Sequence, residues 1–178
     1  MVELEYTRGL EPRAERIGGS TPSKGTSLGD KHVHQLYKPE SLDDPIVSLI
    51  KDDPVRPEIP ADFRLSNRSE IFVLMENSIP LAVLCAAYCD LIPKDVNELF
   101  KIPLEICAVI FYTIWSYAPG AGRELVFSAA SKIKEEHPEV KRFVTLSPKT
   151  EMARKFHLKN GASILSENNE SVNYEYSL

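Results

Sequence analysis

A chain of 178 residues with 43% hydrophobic content has enough apolar material for one domain with a substantial core, plus an appendage. The formal charge of −5 is mild and the basic residues are scattered, so there is no cationic stripe to follow a nucleic-acid backbone. Cys85, Cys89 and Cys107 are odd in number, sit in apolar runs and lack a Cys-x-x-Cys spacing, which disfavours disulfides and zinc and predicts buried free thiols in a reducing compartment.

The opening Met1-Val-Glu-Leu-Glu5 carries acids where a secretory signal carries basic and then apolar residues, and no apolar run reaches the roughly 20 residues of a membrane helix. The expectation is a soluble, cytoplasmic protein without membrane contact. Residues 1–38 contain five of the eight glycines and little periodicity, so they read as a flexible arm outside a domain spanning 39–178. His32 and His34 at its end have no third ligand nearby and read as solvated side chains rather than a metal site.

Prolines at 39, 45, 54, 57 and 60 permit one short helix, about 44–51, with Pro45 at its first position and Ile46, Leu49 and Ile50 on one face. The rest of 39–69 reads as loop. Glu70–Met75 and Leu81–Tyr88 are β-rich runs around Glu76-Asn-Ser78, which predicts a hairpin. Asp95–Phe100 predicts a helical turn or two.

Leu104–Tyr117 is long, β-branched and aromatic, suited to a strand buried on both faces. Arg123–Glu136 changes period: Leu125, Ala129 and Ile133 form one apolar helix face, ended by His137-Pro138. Val140–Leu146 reads as a strand, Lys149–Lys159 as a helix closed by Asn160-Gly161, and Ala162–Leu165 with Val172–Tyr176 as an antiparallel pair. This order predicts a mixed α/β sheet.

Three features carry candidate chemistry. Pro119-Gly-Ala-Gly122 joins the long strand to the amphipathic helix, and a helix start with glycines offers free N–H groups and close approach to a phosphate, as the pyrophosphate of coenzyme A requires. The same turn can equally be a plain tight turn; it lacks the Gly-Lys-Ser/Thr ending of an ATP-binding loop. Ser147-Pro148 reads either as a helix N-cap followed by a first-turn proline or as a reactive group, and His157 either as a packed helical residue or as its partner. If the strands 104–117 and 140–146 are parallel neighbours, the glycine loop and Ser147 share the sheet edge where open α/β sheets bind ligands.

Ile110-Phe-Tyr-Thr-Ile114, Phe143-Val-Thr-Leu-Ser-Pro148, Phe156-His-Leu-Lys-Asn-Gly-Ala162 and Val172-Asn-Tyr-Glu-Tyr176 resemble, in order, signatures of the catalytic domain of malonyl-CoA decarboxylases, a branch of the Gcn5-related N-acetyltransferase (GNAT) fold. The resemblance covers about residues 70–177. It implies a GNAT-like fold with Ser147 and His157 as a catalytic dyad supported by Tyr176, and Tyr117, Ala118, Pro119, Gly120, Ala121, Gly122 and Arg123 as the coenzyme A loop. The implied reaction is loss of carbon dioxide from malonyl-CoA to give acetyl-CoA, with Ser147 holding the carboxylate or relaying a proton and His157, at a near-neutral pKa, donating it. No metal and no cofactor beyond the coenzyme A of the substrate is implied.

The chain departs from that pattern in a shorter loop, a missing insertion between Ser147 and His157, no counterpart of the family's helical amino-terminal domain in 1–69, and an ending, Tyr176-Ser-Leu178, without the peroxisomal Ser-Lys-Leu. Two other readings stay open: a GNAT-type acyltransferase acting on an amine or on the thiol of an acyl carrier protein, and a non-catalytic acyl-CoA-binding module. A homo-oligomer is compatible with each.

Overall fold

The computed structural model describes residues 32–178. Eight strands form one sheet in the order β1-β2-β3-β4-β5-β8-β6, with β7 on the other edge of β8. The strands are β1 His34–Tyr37, β2 Ser69–Glu76, β3 Ile79–Cys89, β4 Ala108–Ser116, β5 Arg142–Thr145, β6 Ser147–Pro148, β7 Ala162–Glu167 and β8 Ser171–Tyr176. Among them β4 and β5 run parallel, and the other pairings are antiparallel. The helices are α1 Ala61–Arg64, α2 Val96–Leu99, α3 Ala121–Glu136 and α4 Glu151–Lys159, preceded by a 3-10 helix, Pro45–Asp52. The mixed α/β sheet expected from the order of elements is therefore the observed architecture.

Local chemistry accounts for the boundaries. Asn77 and Ser78 both take positive φ (49° and 67°), the conformation of a two-residue hairpin turn whose twist matches the flanking strands. Pro45 stands at the start of the 3-10 helix, and the Asp44 carboxylate accepts from the Ile46 N–H. Thr150 caps α4 through the Ala153 N–H, and α4 ends at Gly161 with φ 91°.

Alternation along the strands divides the core between two faces. Phe72, Leu84 and Phe111 point to the face covered by α3 and α4, where they meet Leu125, Ile133 and Phe156. Val73, Val83, Ile110 and Val144 point to the other face and pack on Val47 and Ile59. All nine residues of β4 are buried, as a strand covered on both sides requires.

Four expectations need correction. Residues 34–37 are not part of a loose arm: they pair with β2 as β1, and Lys38 bridges Glu70 and Glu136; the remainder of the 1–38 segment, residues 1–31, lies outside the described residues. The loop assigned across 52–69 contains α1, whose Arg64 is fully buried. Helix α3 begins at Ala121, two residues before the expected Arg123, because Gly120 adopts the left-handed N-cap conformation. Ser147 does not cap α4; it pairs with Val172 of β8, and Thr150 takes the capping role.

Candidate functional site

The site begins where β4 and β5 part. Their parallel pairing runs from Ala108–Arg142 to Phe111–Thr145, with a last rung from the Leu146 N–H to the Phe111 carbonyl at 3.0 Å. At that point the β3–β4 register shifts, since Cys85 faces Thr113 while Ala86 faces Phe111. Tyr112 is the extra residue of this bulge. A bulge bends its strand and interrupts pairing, so β4 continues to Ser116 beside β3 alone while the chain after β5 turns to β8 through β6.

Ser147 stands on the β5 side of this parting. Its Oγ lies 2.8 Å from Thr145 Oγ1, to which it donates, and 3.2 Å from His157 Nε2. The other imidazole nitrogen, Nδ1, is 2.7 Å from the Tyr176 hydroxyl. With Ser147 donating to Thr145, the consistent arrangement has His157 Nε2–H donating to Ser147 and Tyr176 O–H donating to Nδ1. Three residues that the sequence proposed as a group are thus brought into one relay.

Sheet pairing and packing fix the geometry. Strand β8 carries Tyr176 opposite Phe143 of β5 and holds Ser147 opposite Val172. The His157 ring stacks on Tyr174, centroids 4.7 Å apart. Thr145 Oγ1 also accepts from the Tyr174 N–H, and the Asn173 amide donates to the Thr145 and Pro93 carbonyls. Thr145 and Asn173 are supporting residues that sequence reasoning missed; the second of them lies inside the Val172–Tyr176 element.

Ser147 and His157 are fully buried. Burial pushes the His157 imidazole down to about 3, because a charged ring finds no water there. This replaces the near-neutral value expected from sequence: at neutral pH the ring is uncharged and gives a proton only as the neutral Nε2–H.

The glycine loop leaves the sheet at the same end, following β4 as Ser147 follows β5. Gly120 has φ 77° and makes no side-chain cap; the Ala121 N–H donates to the Ala118 carbonyl (3.3 Å), which leaves the N–H groups of Gly122 and Arg123 as the uncapped ones of the first turn. A Cβ added to Gly120 would meet nothing within 4 Å; the glycine is required here by backbone conformation rather than by space. Ala121 and Gly122 are buried, whereas Pro119 and Gly120 are exposed. Tyr117 donates to Asp52 (2.8 Å) and accepts from the Trp115 indole (3.0 Å). The Arg123 guanidinium lies over the Phe127 ring, and that ring meets Tyr176 edge-on, so the first turns of α3 touch the relay.

A second polar group, absent from the sequence reading, lies on the opposite face. Asp53 accepts from Arg64 Nη1 (2.7 Å) and Thr113 Oγ1 (2.9 Å), all three side chains being buried. It also accepts from the N–H groups of Val55 and Arg56 and so shapes their turn. Arg56 reaches into the parting, with Nε donating to the Tyr112 carbonyl (3.0 Å) and Nη2 to the Leu146 carbonyl (2.9 Å). Nothing in a Pro-rich stretch flags a charged residue with this placement, since the two strands it joins are 34 positions apart.

Glu70, Glu136 and His137 also converge, but the Lys38 ammonium bonds both carboxylates and occupies the position a cation would take. Cys85 and Cys89 are buried and Cys107 half-buried, all as free thiols. Burial pushes the thiols of Cys85 and Cys89 up to about 11 and about 12, which makes both poor nucleophiles. Among the described residues, no helix is long and apolar enough to cross a membrane.

No protein-family model matches the sequence, and no curated protein matches it. Solved structures do. A malonyl-CoA decarboxylase from Cupriavidus metallidurans matches with TM-score 0.60 at 16% identity over 80% of this chain and 60% of its own. One from Agrobacterium vitis matches with TM-score 0.56 at 20% identity over 69% of this chain and 35% of its own. An IAA acetyltransferase from Bacillus cereus matches with TM-score 0.56 at 13% identity over 82% of this chain and 100% of its own. The chain thus spans between about a third and three fifths of these two decarboxylase structures. Decarboxylase and acetyltransferase structures share with this chain one architecture, the GNAT-like mixed α/β fold.

Proposed function

We propose that this protein handles acyl-coenzyme A thioesters at the parting of β4 and β5 and that it decarboxylates malonyl-CoA to acetyl-CoA and carbon dioxide. The observation that carries the reading is the Tyr176–His157–Ser147 relay, hydrogen-bonded throughout and placed beside the parting. The pyrophosphate would rest on the N–H groups at the start of α3, within the loop from Tyr117 to Arg123, where the helix dipole favours an anion. The thioester arm would lie along the edge of β4 beyond Phe111, which β5 no longer covers.

The bond between the α-carbon and the carboxylate breaks, carbon dioxide leaves, and the electron pair enters the thioester as an enolate. The α-carbon then takes a proton from the Ser147 hydroxyl. His157 Nε2–H replaces that proton, with Tyr176 feeding Nδ1 and solvent restoring the relay once product leaves. A dry site strengthens each of these hydrogen bonds relative to water. Each step balances without a metal or a cofactor beyond the substrate's own coenzyme A.

A second reading, acyl transfer to an amine or to an acyl carrier thiol, is favoured by full-length coverage of a stand-alone acetyltransferase structure. Incubation with malonyl-CoA and with acetyl-CoA, followed by mass spectrometry, separates the two. Acetyl-CoA and carbon dioxide formed from malonyl-CoA without an acceptor support decarboxylation; turnover only when an acceptor is present supports transfer. Binding of either ester without turnover leaves a non-catalytic module.

A further inference from the structure

Arg56 is a cation whose hydrogen bonds are only partly committed. Its two bonds, to the Tyr112 and Leu146 carbonyls, use the Nε/Nη2 edge of the guanidinium. Among the described residues no partner bonds Nη1, so the Nη1/Nη2 end is open. The carboxylates whose charge it feels do not neutralise it directly: Asp53 is bonded through its side chain to Arg64 and Thr113, and Glu58 makes no hydrogen bond to it. A half-buried charge left without a direct counter-ion is costly, and a planar two-donor edge matches an oxyanion, either a carboxylate or a phosphate.

The side chain is held in place and is only partly buried. Asp53 accepts from the Arg56 N–H at 3.0 Å, and the buried Arg64 donates to the Arg56 carbonyl, so the loop cannot easily move the residue. The Leu146 carbonyl that Arg56 bonds belongs to the peptide unit joining Leu146 to Ser147. The guanidinium therefore lies one peptide unit from the relay, on the face of the sheet opposite α4.

We propose that Arg56 binds the free carboxylate of a dicarboxylic acyl thioester and makes the site select malonyl-CoA over acetyl-CoA. This rests on the acyl-CoA reading above and names the group that recognises the acyl end. The role is selection rather than acceleration. A carboxylate paired with a guanidinium is stabilised in the bound substrate, while carbon dioxide leaves uncharged, so the ion pair strengthens substrate binding more than it stabilises the transition state.

The test compares the full chain with Arg56→Met, scoring kcat and KM for malonyl-CoA and the inhibition constant of acetyl-CoA. The expected result is a rise in KM of about tenfold or more, the size of a lost charge-assisted hydrogen bond. The kcat should hold or rise, because the lost ion pair favours bound substrate over the transition state, and the acetyl-CoA constant should stay put. An unchanged KM, a parallel loss of acetyl-CoA affinity, or a fall in kcat alone would each overturn the inference. If Arg56→Met fails to fold, Arg56→Lys serves: it keeps a point charge without the planar edge and should give an intermediate KM, and an unaltered KM overturns the inference.

Parent protein that turns over no malonyl-CoA would sink the decarboxylase reading. Direct binding of malonyl-CoA and acetyl-CoA to parent and variant then decides the question: preference for malonyl-CoA in the parent, lost in the variant, supports Arg56, and equal affinities in the parent refute it.

Discussion

The Ser147 hydroxyl stands 3.2 Å from Nε2 of His157 although the two arise from different elements, one on a two-residue strand and the other in the last turn of α4. The contact exists because β8 pins Ser147 from one side while Tyr176, on the same strand, positions the imidazole from the other. Replacing either residue by alanine should lower malonyl-CoA turnover on the order of 100-fold or more, with the double variant little worse than either single one. Thr150 caps α4, so Ser147→Ala spares the cap and its effect is not confounded by fraying of the helix. Full activity in His157→Ala, or additive losses, would show that the two do not act as a unit.

Burial of a neutral imidazole makes a prediction about acid stability. The folded pKa of His157 is about 3, below the ordinary value of about 6.5. The group's contribution is fully present above pH ~6.5 and is lost as pH falls toward 3, because the unfolded chain takes up a proton that the folded one refuses, at up to ~1.4 kcal/mol per pH unit. Urea midpoints measured at pH 7, 6 and 5 should therefore fall more steeply for the parent than for His157→Gln. Equal slopes would mean that the ring is hydrated. The same value implies that turnover between pH 5 and 8 shows no inflection due to His157.

At the glycine loop, two substitutions separate strain from binding. Gly120 and Gly161 both have positive φ and open space where a Cβ would stand, so alanine at either should cost ~1 kcal/mol of stability. Gly120→Val should in addition weaken coenzyme A binding about tenfold or more, since the bulk is added where a phosphate would approach α3. Gly161→Ala is the control and should bind coenzyme A normally. Equal affinities in the two variants, measured by calorimetry, would remove the loop from the site.

The buried Asp53–Arg64 pair is structural, and its loss should be asymmetric. Arg64→Met leaves a carboxylate without its counter-charge in the interior and should cost about 3–5 kcal/mol. Asp53→Asn/Arg64→Met should cost less than the sum of the two single changes, because neither member then leaves an unpaired charge. Chemical denaturation of the four proteins in the cycle provides the numbers, and simple additivity would show the pair to be uncoupled.

A chain starting at residue 39 should melt several degrees below one starting at 32, since it loses β1, the Leu36 contact with the core and the bridges of Lys38 to β2 and α3. Coincident melting curves would show that β1 adds nothing to stability.

Much of the fold was legible in the sequence because its signals are local. The Asn77-Ser78 turn, the change of period at α3 and the Asn160-Gly161 stop each depend on a few neighbouring residues, and these three features stand where expected within a few positions. The short β1 escaped notice because four residues, three of them exposed, owe their strand to β2 rather than to their own composition. Of the two readings that local sequence allows for Ser147, the helix cap fails because long-range pairing with Val172 overrides the local preference. Arg56, Asp53 and Arg64 gave no signal at all: what makes them a unit is a bulge at Tyr112 and a carbonyl at Leu146, both far away in sequence.

The separation of β4 from β5 opens the sheet into a notch at one end. Most sheets are partitions, and a molecule lying on one meets the chemistry of one side only. Here the hydrogen-bonded Tyr176–His157–Ser147 chain is set among side chains packed toward α3 and α4, while the guanidinium reaches in from the side of the 3-10 helix. A ligand seated in the notch would be gripped from both sides at once, its orientation dictated before any bond changes, much as a key is held by a lock with wards on either plate.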